Sequence, residues 1–162
     1  MMVESITHPD DPRLGDYRFL RDRDLQRDPE GLFVGEQLLV VQEMLRRPGV
    51  TRSVLVDERM VHRLKGHVPD DVPVYAAPTT LMEGIVGFHV HRGVLAVGRR
   101  AAVEHPSIDR MLTSRPGAST LLLLEDIANI DNMGLLFRNA AAFGVAGVIL
   151  SPRCHDPLYR RV

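Results

Sequence analysis

The apolar positions of this 162-residue chain fall into short dense runs separated by charged or turn-forming stretches. "GLFVGEQ" (31–37), "RSVLVD" (52–57), "VPVYAA" (72–77) and "RGVLAVGRR" (92–100) read as strands. Between them, "EQLLVVQEMLRR" (36–47) reads as a helix that ends at Pro48-Gly49, and "ERMVHRLKG" (58–66) as a short helix closed by Gly66. "PTTLMEGIVG" (78–87) starts with proline and threonines and stops at glycine, as a helix does. "DYRFLRDRDLQRD" (16–28) carries Tyr17, Leu20 and Leu25 at roughly helical spacing and reads as a charged surface helix. Strands alternating with short helices predict a layered α/β domain with a mainly parallel sheet.

A polar stretch over 103–118, broken at Pro106, Pro116 and Gly117, reads as a linker that separates 1–102 from 119–162. A second α/β unit follows: strand "TLLLLED" (120–126), loop "IANID", a helix, then strand "AGVILS" (146–151). The unbroken run Leu121–Leu124 implies a sheet covered on both faces. Two parallel strands do not make a domain, so this unit is expected to be the first part of a larger one, with "PRCHDPLYRRV" opening a further helix.

The helix of the second unit, "NMGLLFRNAAAFG" (132–144), contains a single ionisable residue, Arg138. At about 100° per residue, Leu136, Ala140 and Phe143 lie within about 60° of one another and predict the sheet-facing stripe; Arg138 points about 170° away from it. A solvated surface arginine is one reading. Its neighbours on that side are Gly134, Leu135, Ala141 and Ala142, not the Glu and Lys of a solvated face. A helix without a charged face is usually buried all round, and an arginine there needs an anion or acceptors. Asn132 is positioned to cap the helix. Gly134 in the first turn costs helix stability, which points to a close approach there. The helix starts at the carboxyl end of a parallel strand, where open α/β sheets place ligands and helix amides hold anions. The residues alone therefore predict an anion or nucleotide site near Asn132 and Arg138.

Composition narrows the classes. Net charge is −1, hydrophobic content 44% and charged content 25%, the values of an ordinary globular protein. The N-terminus lacks the layout of a signal peptide and no apolar run spans a bilayer, so a cytoplasmic protein with no membrane contact is expected. All but one of the 20 basic residues are arginine, Lys65 being the exception; the planar fork of arginine suits phosphate. The lone Cys154 excludes an internal disulfide. No G-x-G-x-x-G follows a strand and no phosphate-binding loop of the NTPase type is present. His89 and His91 lack a third zinc ligand, and the adjacent Cys154 and His155 do not face each other as a nucleophile pair would. Arg92, Arg99 and Arg100 flank one strand and could share an RNA-facing edge.

"EDIANIDNMGLLFRNAAAFGVAGVIL" resembles the first signature motif of the SpoU/TrmH branch of the SPOUT RNA methyltransferases, with Asn132, Gly134, Arg138, Ala140, Phe143 and Gly144 in its positions. "FVGEQLLVVQEML", "SVLVD", "VPVYAAPTTLMEGIVG" and "HRGVLAVGRR" are similar to the small α/β/α RNA-binding domain that precedes the catalytic domain in many members. Glu36 matches the acidic residue at that domain's first strand–helix junction, where glycine commonly follows and Gln37 stands here. The resemblance, over residues 14 to 162, implies a small α/β/α domain followed by the first part of a knotted, Rossmann-like SPOUT domain. It implies methyl transfer from S-adenosylmethionine to a ribose 2′-hydroxyl of tRNA or rRNA by a homodimer. Arg138 and Asn132 would be catalytic, and Glu36, Arg92 and Gly134 would contact RNA. An isolated guanidinium, with a pKa above about 12, is a poor base, so an electrostatic or phosphate-assisted role suits Arg138 better. The family's second and third motifs, which build the cofactor pocket, lie beyond residue 162; no cofactor ligand is assigned, and the polypeptide by itself is expected to be inactive. A non-catalytic RNA-binding module of the same architecture is the alternative.

Overall fold

The computed structural model describes every residue except 19, 21–30, 91, 104, 114–116 and 161. Two compact units result, Met1–Val103 and Glu104–Val162.

The first unit has five strands: β1 (Val3–Ser5), β2 (Leu32–Glu36), β3 (Thr51–Asp57), β4 (Val74–Ala77) and β5 (Val94–Arg99). Their order across the sheet is β1-β4-β3-β5-β2. β1, β4 and β3 run parallel, while β5 is antiparallel to both β3 and β2. The sheet is therefore mixed, with a parallel half. β5 enters from the opposite end because it arrives through a turn at Gly93 (φ +62°) next to the end of β3, where Asp57 N donates to Gly93 O at 2.7 Å. One edge of the sheet thus gathers the carboxyl ends of four strands and the start of β5.

Helices cover both faces. α1 (Leu38–Leu45) buries Val41, Met44 and Leu45. It lies close because Gly35 and Gly98 carry no side chain: a Cβ would come within 2.3 Å of Met44 Sδ at the first and 2.5 Å of the Phe33 ring at the second. On the other face α2 (Thr79–Val86) brings Met82, Ile85 and Val86 against Leu55, Leu95 and Val97. Gly87 (φ +76°) ends it in the left-handed conformation that glycine takes without cost. Ile6, Leu14 and Tyr17 close this core, and the Tyr17 hydroxyl meets Ser53 Oγ at 2.8 Å, so its polar end is satisfied. Burial pushes the Tyr17 phenol far above its ordinary pKa.

Two segments differ from the expected helices. Glu58–Leu64 is a 3-10 helix. Pro12–Tyr17 is another, and residues 21–28 of the expected charged helix lie outside the described residues. β1 leaves no clear mark in the hydrophobic pattern, since only three residues pair with β4.

In the second unit, β6 (Leu121–Leu124) and β7 (Gly147–Leu150) pair in parallel. α3 (Ile108–Thr113) occupies part of the expected linker. Its Met111 packs over Gly147, where a Cβ would meet Sδ at 2.3 Å. α4 spans Ile130–Ala142 and connects the strands. Its buried stripe is Met133, Gly134 and Ala140, with Leu136 half-buried. Phe143, expected on that stripe, is 85% exposed: it follows the last helical turn, in a segment turned toward β7 by Gly144 (φ +67°).

Candidate functional site

The helix α4 begins earlier than its sequence suggests. Asn129 is the cap: its Oδ1 accepts from Asn132 N at 2.9 Å, and its carbonyl accepts from Met133 N at 3.0 Å. Asn132 is therefore the third helical residue, with an exposed side chain freed from capping. Gly134 is buried, and a Cβ there would lie 2.4 Å from Val162 O and 3.1 Å from Arg138 Nη1. The close approach predicted from a glycine in the first turn is present, and the approaching group is backbone of the same unit.

Arg138 Nη1 donates to Val162 O at 3.1 Å. Gly134 and Arg138 are one helical turn apart and share a face; Asn132 lies about 9 Å along the axis and about 120° around it from Arg138. The expected burial on every side is absent: Arg138 is exposed, as are Leu135 (54%) and Ala141. On that side Val162 covers Gly134 and leaves Leu135, Arg138 and Ala141 exposed.

The loop leading into α4 is held by the segment after β7. Asp126 takes a positive φ of +54° and is fixed through its backbone and its carboxylate. Its N donates to Ser151 Oγ at 3.0 Å, Ser151 Oγ donates to Oδ1 at 3.0 Å, and Arg153 Nε donates to Oδ2 at 3.0 Å. The Arg153 guanidinium holds the Asp126 carboxyl below its ordinary value. Ser151 N and Cys154 Sγ both reach Leu124 O, and His155 N donates to Ile127 O. Cys154 and His155 do not pair; the His155 ring stands edge-on to Tyr159, with centroids 5.0 Å apart. Leu124 O, Ile127 O and the Asp126 carboxylate are thus engaged within the chain.

A second candidate site lies on the strand-end edge of the first unit. Asp57, 2% exposed, ends β3, and its carboxylate accepts from Arg59 N (2.8 Å), Nε (2.9 Å) and Nη2 (2.9 Å). The Thr79 hydroxyl donates to the same carboxylate from the start of α2. The Arg59 guanidinium holds the Asp57 carboxyl far below its ordinary range, against the upward push of burial. These groups line a pocket of about 620 Å³ with Met60, Val90, Arg92 and Gly93. Gly93 is required there: its φ is positive and a Cβ would press on the Asp57 Cβ at 3.1 Å.

Arg92 lines this pocket and pairs with no described residue. Glu36 ends β2 opposite Leu95 on the same edge, half-buried and outside the pocket lining. Arg99 and Arg100 do not join them. They sit at the far end of β5, where Arg99 Nη1 donates to Gly49 O and Thr51 O, and Arg100 Nε to Leu32 O, all at 3.3 Å. Asp57, Arg59 and Thr79 carried no sequence signal, because a strand ending in Asp-Glu-Arg looks like any capped turn. His89 Nδ1 pairs with the Glu83 carboxylate, and His91 lies outside the described residues. Among the described residues no three His, Cys, Asp or Glu cluster as a metal site would, and no helix is long and apolar enough to cross a membrane.

Known proteins share this architecture. The AdoMet-bound rRNA methyltransferase from Sinorhizobium meliloti superposes with a TM-score of 0.71 at 19% identity, over 98% of this chain and 58% of that one. The SpoU methyltransferase AviRb from Streptomyces viridochromogenes does so with 0.65 at 20% identity, over 93% and 55%. The fold is that of the SpoU methyltransferases. By sequence, an uncharacterised tRNA/rRNA methyltransferase from Mycobacterium bovis is 39% identical over 98% of this chain and 55% of its own length. The 23S rRNA (guanosine-2′-O-)-methyltransferase RlmB from Acinetobacter baylyi is 30% identical over 58% of this chain and 38% of its own length. No family model matches. In sequence the chain is similar to curated tRNA/rRNA methyltransferases, and in fold to the SpoU and TrmH methyltransferases. It spans about half the length of the curated relatives it matches.

Proposed function

We propose that this chain forms part of a methyltransferase that transfers a methyl group from S-adenosylmethionine to a ribose 2′-hydroxyl of tRNA or rRNA, acting as a homodimer in the cytoplasm. Its boundaries follow from the sequence: 1–102 hold RNA, 103–118 link, and 119–162 start the catalytic domain. The observation that carries the reading is the Gly134–Arg138 face of α4. There a guanidinium is held in place by Val162 O, which packs over Gly134, inside the motif that the resemblance assigns to catalysis. The 2′-O specificity in the name of RlmB and the AdoMet-bound structural neighbour support it.

In this reading Arg138 presents positive charge to the 2′-oxygen as its proton leaves, or to the adjacent phosphate that takes the proton. Asn132, free of capping, orients RNA from the first turn, and Gly134 keeps the face open to close approach. In the first unit Arg92 meets phosphate and Glu36 contacts the RNA from the end of β2. The cofactor supplies the electrophilic methyl group.

The test is methyl transfer from labelled S-adenosylmethionine to RNA by the product of the complete reading frame. Arg138→Ala is expected to lower the rate by about 10²-fold or more while cofactor binding is retained. Unchanged turnover in that variant would refute the role given to Arg138.

A further inference from the structure

We infer that the pocket at the strand-end edge of the first unit takes one unstacked nucleotide of an RNA, its base lying on the flat face of Arg59 and its phosphate at Arg92. This rests on the RNA reading above and adds to it the form of RNA recognised.

Arg59 is unusual in how it is held. Two of its nitrogens are bound edge-on by Asp57, both at 2.9 Å, and the carboxylate side chain is 3% exposed while the arginine side chain is 82% exposed. The fork that would grip a phosphate is already used, and the local charge is balanced. The broad planar face remains, fixed in orientation by a buried partner and by Thr79. A fixed guanidinium plane is a stacking surface for a base.

The remaining walls fit that occupant. Met60 and Val90 give an apolar side against which the base lies, in a pocket of about 620 Å³, within the roughly 300–1,000 Å³ typical of small-molecule sites. Arg92 stands at the same pocket with no carboxylate among the described residues to neutralise it, as a phosphate contact requires. A base inside a duplex cannot enter a concave pocket, because both of its faces are stacked. The ligand class is therefore a loop or bulge nucleotide, splayed out of the helix.

The experiment uses the whole chain and an RNA hairpin whose unpaired loop carries 2-aminopurine, with the blunt duplex of the same stem as comparison. Wild-type protein is expected to bind the hairpin more tightly than the duplex and to change the 2-aminopurine fluorescence. Arg59→Lys keeps the charge and removes the plane. It is expected to abolish the fluorescence change and weaken hairpin binding by about 5- to 150-fold, the effect of losing one base stack, while duplex binding stays the same. Arg92→Ala is expected to weaken binding and reduce the salt dependence by about one phosphate contact. Scanning the loop with abasic nucleotides needs no change in the protein, and one position should show the Arg59→Lys loss. Hairpin binding indifferent to Arg59→Lys and to every abasic position overturns the pocket assignment and leaves the RNA reading standing. Competition by a free mononucleotide at the hairpin's own affinity also overturns it, in favour of a small-molecule site. No binding to any RNA overturns the RNA reading and the pocket together.

Discussion

Gln37 offers the most direct check on how this edge is built. It joins β2 to α1 with φ +85° and ψ +145°, a conformation close to one that only glycine adopts comfortably. The geometry is imposed from outside the residue: Gln37 N is tied to Val94 O at 3.2 Å, and its own carbonyl accepts from Val41 N at 3.0 Å to start the helix. A side chain in this region costs about 1–3 kcal/mol. Replacing it with glycine relieves that strain, and the added freedom of the unfolded chain takes back about 0.5–1 kcal/mol. Gln37→Gly is thus expected to stabilise the first unit by about 1 kcal/mol. With a urea m-value of about 2 kcal/mol per M, the midpoint rises by about 0.5 M. Tyrosine fluorescence follows the unit through Tyr17 and Tyr75. Gln37→Ala is the control, since it shortens the side chain and keeps the Cβ. The glycine variant is expected to be more stable than the wild type, and the alanine variant level with it. Equal stability of Gln37→Gly and Gln37→Ala would refute the strain argument, as would a destabilised glycine variant with an unchanged m-value.

The Asp57–Arg59 pair should appear in the pH dependence of stability. The folded-state pKa of Asp57 lies below its ordinary 3.8, so the pair stabilises the fold fully at neutral pH and is lost as pH falls below about 4 toward the depressed value. Asp57→Asn is expected to flatten urea midpoints measured across that acid range, and a slope equal to the wild type would contradict the pairing. Gly134→Ala is expected to displace Val162 and release Arg138, since its Cβ would sit 2.4 Å from the Val162 carbonyl oxygen. The cost should be about 1–3 kcal/mol by the measure of over-packed cores. A moved Arg138 Nε–H resonance in the NMR spectrum checks it, and an unmoved one would mean that the two groups are not coupled.

What the sequence revealed and what it hid follow from how local each signal is. Val94–Val97 is apolar without interruption because both faces of the strand are covered, and such a run is visible in one dimension. Leu121–Leu124 reads the same way, yet within the described residues Leu123 is 70% exposed and only Leu124 is buried, so the expected cover on both faces is not there. The start of α4 was not visible, because "NIDN" offers Asn129, Asp131 and Asn132 as caps and only the backbone path selects the first. α3 was hidden between Pro106 and Pro116, where breaks outweigh a helix of six residues. The mixed sheet was also invisible. Whether β5 runs with or against β3 depends on the Gly93 turn, and the residues of the strand are alike in either direction. Arg92, Arg99 and Arg100 could be grouped from their positions around one strand, yet the length of that strand places them at opposite ends of the sheet.

A comparison of three arginines separates the roles that their shared residue type conceals. Arg59 is bound by Asp57 and Arg153 by Asp126, so each is electrically balanced at short range. Their carboxylate partners orient the guanidinium and cancel most of what it could offer a developing negative charge. Arg138 is oriented as well, but by Val162 O, and no Asp or Glu side chain among the described residues pairs with it. A guanidinium with no side-chain carboxylate on its fork keeps more of its hydrogen-bonding capacity for a ligand than one paired as Arg59 and Arg153 are. That is the arrangement expected of a group that stabilises an oxyanion or grips a phosphate, because little of its electrostatic interaction is already spent on the protein. It also accounts for glycine at 134. Any side chain there would occupy the space through which the carbonyl reaches the guanidinium, and the arginine would have to find another partner. The single charge of the stretch 132–144 thus depends on its glycine neighbour for its position.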